Sequence, residues 1–219
     1  QMRTIETRSE RAGVSTETLM DNAGLAVAER VRHHVGALDG APIVVLAGPG
    51  NNGGDGLVAA AHLRDWGAKV TVFMCLERSQ ANPKLEALET KIGDAILVRR
   101  GDGFRTLENA LPGARLILDA ILGTGRARPI EGTIKRVLDL LHVTTAMPSG
   151  PTLVALDTPT GLDADSGAVD PSAVPADVTV SLGYAKRGHY AHPGADHAGR
   201  LEVVDIGIPP DLDEDVDLT

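Results

Sequence analysis

Four segments of this chain place glycines or small polar residues directly after an apolar run, and each carries side chains able to hold or transform a ligand. The first is Gly48-Pro49-Gly50-Asn51-Asn52-Gly53-Gly54-Asp55-Gly56, five glycines in nine residues after Pro42–Ala47. Glycine permits positive φ and close approach of a backbone to a ligand. The N–H groups of this loop are therefore expected to face an anion, with the positive end of the next helix behind them. No Gly-Lys-Ser/Thr follows, so this is not a P-loop, and the spacing is not that of G-x-G-x-x-G. The chemistry it suits is seating the phosphates of a nucleotide-type ligand. Asp55 reads either as the helix N-cap or as a ligand contact.

The second segment is Asp119-Ala120-Ile121-Leu122-Gly123-Thr124-Gly125-Arg126-Ala127-Arg128-Pro129. An aspartate closing the run Leu116–Leu118 is costly unless it is paired or binds a cation. Gly123-Thr124-Gly125 offers further N–H groups, and Arg126 and Arg128 are long enough to reach phosphate or to lie on the surface. The third is Asp157-Thr158-Pro159-Thr160-Gly161-Leu162-Asp163. Asp157 follows another apolar run, where burial disfavours the charged form of a carboxyl. That makes it the candidate general acid/base, with a loop-stabilising carboxylate as the other reading. In the fourth, Gly183-Tyr184-Ala185-Lys186-Arg187-Gly188, Lys186 reads as a phosphate neutraliser, an aid to proton transfer or a solvated side chain. His189, His192 and His197 follow without a zinc-type spacing.

The elements around these segments alternate. Ser15–His34 is predicted helical, with Leu19, Ala23, Ala26, Val27 and Val31 on one face. Strands are predicted at Pro42–Ala47, Lys69–Cys75, Ile96–Val98, Leu116–Ala120, Leu153–Leu156, Val178–Leu182 and Leu201–Ile206. Helices are predicted at Gly56–Trp66 after a loop Gly48–Asp55, from Asn82-Pro83 through Ile92, over Thr106–Leu111 and near Thr133–His142, with a turn at Thr144–Pro151. This order implies an α/β fold with a mostly parallel sheet and helices on both faces. Ligands of such sheets bind beyond the carboxyl ends of the strands, which is where all four segments fall. Residues 1–210 are expected to form a single domain, and 211–219 an acidic, mobile tail.

Composition narrows the partners. Aromatic residues make up 2% of the 219 residues, so the core must be built of Ala, Val, Leu and Ile. A net charge of −9 disfavours nucleic acid and anionic membrane as partners. Cys75, in an apolar run, reads as a buried core thiol; a single cysteine fits a reducing compartment, taken as cytoplasmic. Neither a signal peptide nor an apolar run of membrane length is visible. Met2 reads as the native start, with Gln1 an appended residue.

Together the segments resemble the YjeF N-terminal domain family, the NAD(P)H-hydrate epimerases. The residues that carry the resemblance are Leu19-Met20-Asp21-Asn22-Ala23-Gly24, Gly48–Gly56, Asp119–Gly125, Asp157-Thr158-Pro159-Thr160-Gly161 and Asp205-Ile206-Gly207-Ile208-Pro209, in family order over most of the chain. The resemblance implies a Rossmann-like three-layer αβα sandwich, a homodimer, and interconversion of the R and S epimers of hydrated NADH or NADPH for a partner dehydratase. By motif it implies substrate contacts at Asn51, Asn52, Gly53, Gly54, Asp55, Gly123, Thr124, Gly125, Arg126, Ala127, Arg128, Pro129 and Asp157, with Lys186 added as a candidate, and catalysis by Asp157. It also implies one potassium ion per subunit at Asn52, Asp119 and the Thr160 hydroxyl. Thr160 stands where serine is common and keeps the oxygen. The sequence ends soon after Ile208-Pro209, where fusions to a dehydratase domain commonly continue. The competing expectation is a non-catalytic nucleotide-binding or protein-interaction module on the same fold.

Overall fold

The computed structural model describes residues 13–76, 83–92, 95–98, 102–125 and 129–209. The expected tail at 211–219 lies outside them. Helix α1 is Thr16–Val35, capped by Ser15, whose hydroxyl accepts the Thr18 N–H at 3.1 Å. Strand β1 is Pro42–Ala47, α2 Asn51–Asp65, β2 Lys69–Met74, α3 Pro83–Ile92 and β3 Ala95–Leu97. They are followed by α4 at Gly103–Ala110, β4 at Leu116–Ala120, α5 at Gly132–Thr145 and β5 at Thr152–Leu156. Strand β6 (Val178–Leu182), a 3-10 turn at Arg187–His189, helix α6 (Gly194–Ala198) and β7 (Arg200–Val204) complete the order.

The strands form a seven-stranded sheet in the order β3-β2-β1-β4-β5-β6-β7, every neighbouring pair parallel. Alternation along each strand splits the apolar residues between two cores. Ile43, Val45, Leu118, Val154 and Leu156 pack with α1 and α2. Val44, Leu46, Ile117, Leu153 and Ala155 pack with α4 and α5. A period of two on strands buried on both faces makes this three-layer Rossmann-like arrangement. Cys75 is fully buried, and burial pushes its thiol above the ordinary range, with Asp119 adding to the shift.

The chain leaves β1 toward one edge of the sheet and β4 toward the other, so the crevice between their carboxyl ends is a topological switch point. Here the structure departs from the sequence reading. Helix α2 begins at Asn51, not Gly56, so the second half of the expected loop is already helical. None of its glycines has positive φ. They serve close packing instead: a Cβ on Gly48 would lie 1.8 Å from the Ile121 carbonyl oxygen, and one on Gly53 2.0 Å from that of Gly48. Gly56 similarly lets α2 settle on β4, where a Cβ would meet that of Ala120 at 2.6 Å. Asp55 thus lies inside the helix and is not its cap; Gly50 holds that position. Smaller differences occur where propensity is weak: α5 runs on through Thr144, and α4 starts at Gly103.

Candidate functional site

A cavity of about 720 Å³ opens at the switch point, a size that suits a nucleotide. One wall is the start of α2. Gly50 caps it without a side chain, and no acidic residue lies in its first turn. Gly54 N–H already bonds to the Gly50 carbonyl at 3.1 Å. The N–H groups of Asn51, Asn52 and Gly53, which precede that bond, are the orphan donors of the helix, at its positive end. Asn51, Asn52, Asp55, Gly123, Thr124, Gly125 and Pro129 line the cavity, facing one another from the two sides of the crevice. Gly53 and Gly54 sit behind the lining. Arg126, Ala127 and Arg128 lie outside the described residues.

Asp157 also lines the cavity, from the carboxyl end of β5. It is the one non-glycine among the described residues with positive φ, at +67°, a conformation that persists only where its surroundings impose it. Its N–H bonds to the Val180 carbonyl at 2.8 Å, and its Oδ1 accepts the Leu182 N–H at 3.1 Å, so β6 holds both backbone and side chain. Oδ1 also receives the ammonium of Lys186.

Lys186 itself is buried and does not line the cavity. Besides Asp157, its Nζ donates to Ser181 Oγ at 2.9 Å, the Leu182 carbonyl at 2.9 Å and the Tyr184 carbonyl at 2.8 Å. Its backbone N–H donates to Nδ1 of buried His189 at 3.2 Å. That bond requires the neutral imidazole, and burial followed by the Lys186 charge lowers His189 from 6.5 to about 4.

Behind the second loop, Asp119 is buried at 4% exposure. Its Oδ1 accepts the Thr160 hydroxyl at 2.7 Å and the Ile121 N–H at 3.2 Å, and its Oδ2 accepts the Thr160 N–H at 2.9 Å. Burial raises its carboxyl above the usual range, opposed by these bonds. Among the described residues no Lys, Arg or His pairs with it. The Asn52 carboxamide stands against Gly123, and its Nδ2 is buried without a partner. Among the described residues no group of three or more His, Cys, Asp or Glu is placed to hold a metal. An ion here would therefore meet oxygen ligands carrying a single negative charge.

The rest of the wall had no role assigned from sequence. Thr16, Leu19, Met20 and Ala23 of α1, with Leu182 and Ile206, line the cavity as well. Asn22 Nδ2 donates to the Ile206 carbonyl at 2.9 Å, tying α1 to the segment after β7. The signal was present: Leu19–Gly24 and Asp205–Pro209 are two of the family-like segments, here joined as one wall. Gly24 contributes by letting α1 approach α2, since a Cβ there would lie 2.4 Å from that of Val58. Asp163, at the end of the third segment, and Asp170, beyond it, also line the cavity. The Ser166 hydroxyl and N–H hold Asp163 below the ordinary carboxylate range and within its own loop, while Asp170 accepts the Ser172 N–H on Oδ1 and, on Oδ2, the N–H of Ile130 in the loop after β4.

The family described as "YjeF-related protein N-terminus" matches residues 16–188. Over 189 residues the chain is 38% identical to the NAD(P)H-hydrate epimerase of Clavibacter michiganensis, covering 85% of this chain and 79% of that protein. It is 34% identical to the NAD(P)H-hydrate epimerase of Levilactobacillus brevis, covering 90% of this chain and 86% of that one. It is 39% identical over 210 residues to the bifunctional NAD(P)H-hydrate repair enzyme Nnr of Thermofilum pendens, covering 94% of this chain but 39% of that protein. The chain thus spans about two fifths of the length of that bifunctional relative. The crystal structure of yeast ynu0 (YNL200c) superposes with a TM-score of 0.78 at 28% identity, covering 92% of this chain and 84% of that one.

Proposed function

The chain belongs to the YjeF-related N-terminal family, and from that premise we propose that it is an NAD(P)H-hydrate epimerase, an isomerase that interconverts the R and S forms of hydrated NADH and NADPH. The observation that carries the reading is Asp157, an aspartate held at positive φ on the wall of a nucleotide-sized cavity that also exposes the start of α2, which has no side-chain cap. The N–H groups at the start of α2 and those of Gly123 and Thr124 suit the pyrophosphate, and the apolar wall of Leu19, Met20, Ile121 and Leu182 suits a ring system.

The hydrate carries a hydroxyl on C6, beside the ring nitrogen. In its acid form Asp157 delivers a proton to that hydroxyl as the C6–O bond breaks, and water departs. The nitrogen lone pair stabilises the cation left behind. Water then adds to the opposite face and releases its surplus proton to solvent, from which Asp157 regains one, so that the catalyst is restored and the centre inverted. No oxidant or reductant is consumed.

Potassium fits the oxygen set beside the cavity. Reversing the Asn52 carboxamide, whose orientation is an assignment, turns its unpartnered nitrogen position into an unpartnered oxygen. That oxygen, Asp119 and Thr160 Oγ1 would hold the ion, which would supply a fixed positive charge near the phosphate-binding loop. A homodimer is part of the same reading, taken from the family resemblance. So is a dehydratase that consumes one epimer, supported by the bifunctional relatives. No described helix is long and apolar enough to cross a membrane, and with a single cysteine we assign the protein to the cytoplasm.

The test supplies R-NADPH hydrate to an S-specific dehydratase and follows recovery of NADPH. Acceleration by this protein, lost by at least about a hundredfold in Asp157→Asn with nucleotide binding retained, is the expected result. No acceleration with or without potassium would replace the enzyme by a nucleotide-binding module, and a fully active Asp157→Asn protein would remove Asp157 from the chemistry.

A further inference from the structure

We propose that Lys186 is a positioning residue that pins Oδ1 of Asp157, so that Oδ2 alone is presented to the ligand. The inference rests on the epimerase reading for its kinetic consequence, but its geometry is independent of it. Every hydrogen bond on the Asp157 carboxylate among the described residues falls on Oδ1, from Lys186 Nζ and the Leu182 N–H. Oδ2 is left to the cavity that Asp157 lines.

An ammonium has three hydrogens. Lys186 Nζ has four acceptors around it: Asp157 Oδ1, Ser181 Oγ and the carbonyls of Leu182 and Tyr184. No N–H remains for a phosphate, and the side chain lies behind the cavity wall rather than in it. Three of the acceptors belong to β6 or the turn after it, so the ammonium fastens the β5 loop to the β6 loop. The lysine is itself held at both ends, since its backbone N–H bonds to His189 Nδ1.

The positive φ of Asp157 gives this clamp its purpose. That backbone conformation is unfavourable for a side chain bearing Cβ. The Asp157 N–H bond to β6 fixes the backbone, while the bonds to Oδ1 fix χ1 and χ2. Without Lys186 the carboxylate would keep one neutral N–H partner and gain freedom to rotate both oxygens. Misplacement of a reacting group by about an ångström costs on the order of a hundredfold in rate.

The experiment uses Lys186→Met in the whole chain, with two readouts. In the epimer assay kcat is expected to fall by about a hundredfold or more, while KM and the affinity for NADP+ stay within about threefold, because Lys186 touches no ligand. By hydrogen exchange, the Leu182 amide is expected to exchange at least about tenfold faster, because its acceptor is no longer pinned. A raised KM with kcat retained would overturn the proposal, since it would make Lys186 a substrate ligand. Unchanged Leu182 exchange would overturn it too, since the backbone alone would then hold Asp157. Should Lys186→Met lose its cooperative melt, Lys186→Arg takes its place: it keeps the charge but replaces the compact ammonium by a planar fork that cannot reproduce this set of acceptors, and it must raise Leu182 exchange and lower kcat with KM unchanged, or the proposal fails. If the unaltered protein shows no epimerase activity, the functional reading falls, while Leu182 exchange still decides the clamp.

Discussion

Replacing Gly50 and Gly53 by alanine, one at a time, separates the two jobs of the first loop. A Cβ on Gly53 would sit 2.0 Å from the Gly48 carbonyl oxygen and 2.8 Å from the Gly48 nitrogen. Both are backbone atoms at the end of β1, and neither can rotate away. Relief needs the start of α2 to move by about 1 Å off the loop it packs on, and overpacking of this kind costs about 1–3 kcal/mol or more. For a chain of this size each kcal/mol lowers Tm by about 2–4 °C, so Gly53→Ala should melt about 3–10 °C below the parent. Gly50 has φ −96°, which alanine adopts, and a Cβ there meets nothing within 4 Å. Its stability should change by less than about 1 kcal/mol. Gly50 nevertheless lines the cavity at the cap of α2, where a ligand phosphate would press against it. Gly50→Ala should therefore weaken NADP+ binding by about tenfold, a difference of about 1.4 kcal/mol, at unchanged Tm. Calorimetric titration with a thermal melt reads both quantities. Gly50→Ala binding as tightly as the parent would refute the helix start as the phosphate seat, and a Gly53→Ala protein melting like the parent would refute the packing account.

His189 supplies an acid-side prediction. Its pKa falls from 6.5 to about 4 in the fold, so between those values the unfolded chain binds a proton that the native one refuses. Stability from this group is full above pH 6.5 and declines as pH falls through that window, by about 2–3 kcal/mol in all. His189→Asn keeps an acceptor near Lys186 but cannot titrate; its urea midpoint should fall less between pH 6.5 and 4, and an identical fall would exclude His189 as the cause. Asp119 has the opposite sense: its carboxyl is raised, so its contribution is lost as pH rises above the unfolded value of 3.8. A cation favours the ionised form, so potassium at ten times its Kd should add about 1.4 kcal/mol, with the gain shrinking as pH falls, and Asp119→Asn should abolish the gain. Thr158 is fully buried, with its hydroxyl unpartnered. Thr158→Val should raise stability by about 1–2 kcal/mol, measured by urea denaturation; a loss would mean the hydroxyl has a partner the packing conceals.

The alternation of apolar runs with amphipathic stretches was enough to read the layers and the parallel sheet, because burial on both faces demands strands such as Ile43–Ala47 without polar interruption. The same logic put Asp119 and Asp157 at strand ends, since a carboxylate after such a run has nowhere else to go. The sequence therefore determined which loops meet beyond the sheet. It did not determine what each residue does there. The glycines of Gly48–Gly56 signal close approach, but the neighbours they approach are Ile121 and Gly48 itself, distant in sequence or across a turn, and only the packed β1–β4 crevice identifies them. The start of α2 is illegible in the sequence for a related reason: glycines and asparagines are poor helix formers, and here the pull of tertiary packing overrides that local preference. Lys186 looked like a ligand group while its surroundings were unknown. Three of its four acceptors are near it in the chain, but the fourth, Asp157, is 29 residues away, and that pairing exists only once β5 and β6 lie side by side. The wall built from α1 and Ile206 has the same origin: residues 184 positions apart become neighbours through one bond from Asn22. Residue type and spacing define which groups are available for chemistry. Which of them face the ligand, and which hold the others in place, is decided by contacts between elements that no local pattern encodes.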